Sequence, residues 1–96
     1  MGWTVLQSER VRKMKYDEIW GIAFKRVSEF FSLQSDVEKV NDAVFRYASA
    51  SVELEALPDK HMGSMIIAQT RVKIDGGADA DEIHRRFYMR FLSAGG

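Results

Sequence analysis

The spacing of apolar residues along this chain switches from helical to alternating and back to helical. From Asp17 the residues Ile19, Trp20, Ala23, Phe24, Val27, Phe30 and Phe31 recur at steps of three and four, which predicts a helix with one wide apolar stripe. Asp17 and Glu18 would sit in its first turn, where the helix dipole favours carboxylates. Ser35-Asp36-Val37-Glu38 has the form of a capping box, in which the serine oxygen accepts from the backbone three residues on and the glutamate reaches back. With Val37, Val40, Ala43, Val44 and Tyr47 following at helical spacing, it predicts a second helix of about three turns.

After Ser49 the period becomes two. Ala50, Val52, Leu54 and Ala56 alternate with Ser51, Glu53 and Glu55, the mark of a strand with one wet face. Pro58 to Gly63 reads as a break, after which Ile66, Ala68, Thr70, Val72 and Ile74 alternate with Ile67, Gln69, Arg71 and Lys73. The two runs predict an antiparallel hairpin with a loop longer than the tight two-residue kind. Glu53 and Glu55 facing Arg71 and Lys73 support that register by roughly 0.2–1 kcal/mol per pair. Asp75-Gly76-Gly77-Ala78 then turns the chain into a last helix over 79–92, with Ile83, Phe87 and Phe91 on its apolar side. Trp3 to Ser8 alternates well enough for a short first strand. The expected fold is a two-layer α+β single domain over residues 1–96, in the order (β)ααββα. Its helices would pack on one face of a small antiparallel sheet.

Composition narrows the function more than it defines one. With 29% charged residues the chain is an ordinary folding sequence rather than a disordered one, and 96 residues suit one core. The absence of cysteine excludes disulfides, thiolate metal sites and a cysteine nucleophile. The first residues lack the pattern of a signal peptide and no run reaches transmembrane length, so a cytoplasmic protein without membrane contact is expected.

No motif supplies chemistry. Asp75, Asp79, Asp81 and Glu82 crowd four carboxylates near the last helix, but their spacing fits no EF-hand, and capping the positive end of that helix is the expected role. His61 and His84 lack a spacing that would bring two metal ligands together, and His61 falls in the loop expected over Pro58 to Gly63. Catalysis at either would need a carboxylate or nucleophile beside it, or a closed apolar pocket with the histidine at its mouth. No catalytic residue, metal or cofactor is therefore expected.

Two clusters of cations are candidates for partner binding. Arg10, Arg12, Lys13 and Lys15, near Trp3 and Tyr16, would suit phosphates and a stacked base. Arg85, Arg86 and Arg90 lie at helical spacing and would suit an acidic protein surface. The zero formal net charge and the acidic first turn of the last helix weigh against nucleic acid. Phe24, Phe30, Phe31, Phe45, Met65 and Ile67 spread over more faces than one core should hide, which points to an interface. The function expected is a small non-enzymatic interaction or regulatory protein, working as a homodimer and on an acidic partner. The alternative is a nucleic-acid-binding accessory protein using the cluster at residues 10–15.

Overall fold

A computed structural model describes residues 14–95, with side chains through Leu92. The elements are β1 (Tyr16–Trp20), α1 (Phe24–Ser32), β2 (Glu38–Asn41), β3 (Val44–Tyr47), β4 (Ala50–Met62), β5 (Met65–Asp75) and α2 (Gly77–Gly95). Five antiparallel strands form one sheet in the order β1-β5-β4-β3-β2. The α+β class agrees with the sequence pattern, while the element order is βαββββα rather than (β)ααββα. The strand expected at Trp3–Ser8 lies outside the described residues.

Two predicted helices are corrected. The stripe from Asp17 divides at Gly21: Tyr16, Glu18 and Trp20 point inward and Asp17 and Ile19 outward, so this stretch is a strand, and the helix begins only at Phe24. Ile19 and Trp20 satisfy a helical step and a strand alternation equally, and pairing of all five residues with β5 decides for the strand. Residues 38–47 are a hairpin, not a helix. Here Val40, Val44, Phe45 and Tyr47 are strand formers, and the Asn41 side chain accepts the Ala43 amide at 2.8 Å to close the turn. The capping box at Ser35 is unused, and Phe45, which a helix would have left outside, is fully buried.

The hairpin of β4 and β5 matches its predicted alternation and charge register, with Glu53 opposite Lys73 and Glu55 opposite Arg71. Its loop is shorter than expected. The strands run on to Met62 and Met65, joined by Gly63-Ser64, and Pro58 sits in an irregularity of the ladder between Leu57 and Lys60. Proline lacks an amide to donate, and a bulge is where a ladder tolerates that loss. Gly63, at φ +63°, supplies the left-handed conformation that a tight hairpin turn asks of its first central residue.

Both helices cover one face of the sheet. Val27 and Phe31 of α1, Ala80, Ile83, Phe87 and Phe91 of α2, and Phe45, Val52, Leu54, Val72 and Ile74 of the strands form the core. Fully burying each large apolar side chain contributes roughly 1.5–3 kcal/mol. Phe31 and Phe87 stack with centroids 5.6 Å apart, and Trp20 meets Phe87 edge-on at 4.9 Å, so β1, α1 and α2 converge on one aromatic cluster. Buried Thr70 donates to the Ile22 carbonyl at 2.7 Å and pins the β1–α1 connection to β5.

Candidate functional site

Strands β4 and β5 outrun their neighbours. β3 pairs with β4 only along Ala50 to Glu53, and β1 pairs with β5 only along Thr70 to Ile74. The remainder, Glu55–Met62 and Met65–Gln69, is a two-stranded ribbon whose outer edges have no neighbouring strand among the described residues. Its tip is apolar: Met62 is 52% exposed, Met65 61% and Ile66 63%. Met62 lies opposite Met65 on one face, and Ile66 lies opposite His61 on the other. An edge with alternate unpaired amides and carbonyls, flanked by bare apolar side chains, is a template for strand addition. His61, expected in a loop, is an exposed residue of this ribbon.

A second cluster, between β1 and α2, carries the titratable chemistry. Glu18 Oε1 lies 3.0 Å from His84 Nε2 and accepts the Trp20 indole N–H at 2.9 Å. Tyr16 stacks on the His84 ring with centroids 3.8 Å apart and donates its hydroxyl to Asp81. Lys15 Nζ also reaches Asp81, at 3.0 Å. The hydrogen bonds from Tyr16 and Lys15 hold the Asp81 carboxyl below its ordinary range, and the Asp81 acceptor raises the Tyr16 phenol. A carboxylate does stand beside His84, as catalysis would require, but neither of the two grooves beside α1 includes the histidine. The cluster clasps edge strand β1 to α2, and Glu18 is hidden in the sequence because the apolar spacing around it fits a helix.

Asp79 lies in the first turn of α2, as expected, and the carboxylates around this helix also make tertiary contacts. Asp79 accepts the Ser49 hydroxyl at 2.6 Å and its amide at 3.1 Å, and Asp75 accepts the Lys15 amide at 3.2 Å. Glu82 pairs with Arg85 and Arg86. No group of three metal-ligating side chains occurs among the described residues.

The predicted cations divide into three cases. Arg10, Arg12 and Lys13 lie outside the described residues, and Lys15 is bound to Asp81. Arg85 pairs with Glu82, while Arg86 bridges Glu82 and Asp36 at 2.9 Å each and lies over the Tyr47 ring. Those contacts raise the Arg86 pKa further and hold Asp36 and Glu82 low. Arg90, one turn on, has no carboxylate partner among the described residues and lies over Phe91. The three arginines are therefore not one free binding face.

Two surface grooves flank α1. One, of about 230 Å³, lies between α1 and α2 with Phe30, Phe91, Arg26 and Arg90 among its walls. The other, of about 520 Å³, runs between α1 and β2 past Phe24, Lys25 and Lys39. No helix among the described residues is long and apolar enough to cross a membrane. The chain is thus a small α+β domain whose exposed apolar positions include a cluster at the tip of its longest hairpin. No protein-family model matches it, and no curated protein matches it in sequence.

Proposed function

We propose that this protein is a non-enzymatic interaction module that acts through a protein surface and associates with its own copy, with the β4–β5 ribbon as the contact. The observation that carries this reading is the overhanging ribbon, unpaired at both edges among the described residues and apolar at Met62, Met65 and Ile66. A two-stranded hairpin alone is marginally stable in water, so a partner strand or apolar surface would stabilise this one as well as bind it. A two-fold axis beside either edge would extend the ladder antiparallel and cover the tips of both copies. The apolar surplus inferred from sequence supports the reading in reduced form, since Phe31 and Phe45 are in the core while Met65 is bare.

Nucleic-acid binding finds less support among the described residues. Lys15 of the N-terminal cluster and Arg85 and Arg86 of the last helix all have carboxylate partners. The test is absolute mass by light scattering during gel filtration, at low and high salt, for the wild type and an Ile66→Lys, Met65→Lys variant. A dimer at both salts that becomes a folded monomer in the variant is expected. A wild type that remains monomeric over the accessible concentrations would remove self-association.

A further inference from the structure

Six arginines fall among the described residues, and Arg71, Arg85 and Arg86 each have a carboxylate partner. Of the three that have none among the described residues, Arg26 and Arg90 share one groove, the 230 Å³ cleft between α1 and α2. They are also held by one ring. The Arg26 guanidinium lies 5.6 Å from the Phe91 centroid and that of Arg90 lies 5.3 Å from it. Phe91 is itself 5% exposed and packed into the core, so its ring is a fixed platform. Both guanidiniums bring positive charge to one cleft, which carboxylates of a ligand would complement. Glu29 lines the cleft but forms an ion pair with neither arginine.

Apart from Gln34, the rest of the cleft lining is apolar. Phe30 packs edge-on against Phe31 and Phe91, and Leu33, at the lip, is 77% exposed. The volume is below the roughly 300–1,000 Å³ of sites that enclose a small-molecule ligand. It suits one large anchoring side chain, with carboxylates on either side of the anchor reaching the two guanidiniums at the rim.

We propose that this cleft binds an acidic, amphipathic peptide segment of a partner protein: an aromatic or large aliphatic residue against Phe30 and Phe91, flanked by carboxylates that pair with Arg26 and Arg90. Guanidinium groups already ordered on an aromatic face lose less freedom when they form two-pronged bonds to carboxylate. The proposal rests on the reading of the protein as an interaction module, and it uses a face away from the ribbon residues.

The probe is a fluorescein-labelled twelve-residue peptide with one central phenylalanine among glutamates, read by anisotropy and by amide shifts in two-dimensional NMR. Controls replace phenylalanine with serine, or glutamates with glutamines, and a further arm offers phenylacetate alone. Saturable, salt-sensitive binding is expected, with shifts centred on Phe30, Leu33 and Phe91, and roughly tenfold weakening in Arg26→Gln, Arg90→Gln. Both arginine side chains are at the surface, so the variant should keep its fold, checked by circular dichroism. The Ile66→Lys, Met65→Lys variant should bind as the wild type does. No binding by the wild type, undiminished binding by the double-glutamine variant, or binding of phenylacetate as tight as that of the peptide would each overturn the proposal. A dimer that ignores the peptide would sink the cleft and spare the ribbon, whereas a monomer that binds it would do the reverse.

Discussion

At the scale of single residues, the least replaceable position is Gly76. Its φ is +131°, and a β-carbon there would stand 2.4 Å from the Ala50 α-carbon and 2.7 Å from the Ser49 carbonyl oxygen. The chain leaves β5 against the β3–β4 turn and has no room for a side chain. Gly76→Ala should therefore destabilise the fold by about 2–4 kcal/mol, from contact with backbone that cannot yield and from the unfavourable φ. Urea unfolding followed by tryptophan fluorescence would measure it. Ala48 presents the converse case. It holds φ +53° with a β-carbon, so Ala48→Gly should leave stability unchanged or raise it by up to about 1 kcal/mol, read by the same titration. Phe87 touches Trp20, Phe30, Phe31 and Phe91, and Phe87→Ala should cost about 3–5 kcal/mol in the same assay.

At the scale of elements, β1 is the strand whose attachment depends most on side chains. Among the described residues it pairs on one edge only, through five residues, and is reinforced on both faces. Outside, Arg71 makes a two-pronged bond to Asp17 at 2.8 Å on each arm. Inside, Tyr16, Glu18 and Trp20 engage Asp81, His84 and Phe87 of α2. Asp81→Asn removes the charge that Lys15 pairs with and weakens the acceptor of the Tyr16 hydroxyl. Amides of β1 should then exchange with solvent faster than those of β4, whose ladder is unchanged. Equal acceleration across the sheet would mean that the clasp supports the whole fold rather than one edge.

For the whole molecule, ion-paired and hydrogen-bonded titratable groups among the described residues shape the pH dependence of stability. Asp17, Asp36, Asp79, Asp81 and Glu82 are all held below their ordinary values by hydrogen bonds to arginine, serine, tyrosine or lysine. Their contribution is fully present above the unfolded carboxyl values near 4 and is lost as pH falls through the lower folded values. The Tyr16 phenol is shifted the other way, so its contribution is present below about 10 and is lost as pH rises through its folded value. Thermal unfolding should therefore show a plateau between about pH 5 and 9, with a fall on the acid side. The acid limb should flatten in Asp36→Asn, which removes one of the depressed carboxyls.

The sequence by itself determined the last two strands and the last helix of this protein. Between Ala50 and Ile74 the alternation is long, both strands lie in the middle of the sheet, and Glu53 and Glu55 face Lys73 and Arg71, so local pattern and tertiary pairing agree. The glycines after Asp75 and the spacing of Ile83, Phe87 and Phe91 mark a helix that packs along one face. Only the tertiary structure decided the first half. Residues 16–20 and 37–47 carry apolar spacings that satisfy either period, and pairing with β5 and β4 selects the strand because Trp20 and Phe45 then reach the core. The candidate sites were legible as residue types and not as groupings. The ribbon exists because β4 outlasts β3 and β5 outlasts β1. The cleft exists because α1 and α2, 45 or more residues apart in sequence, bring Arg26 and Arg90 to the same aromatic ring. Such juxtapositions depend on chain reversals that no local window of sequence contains.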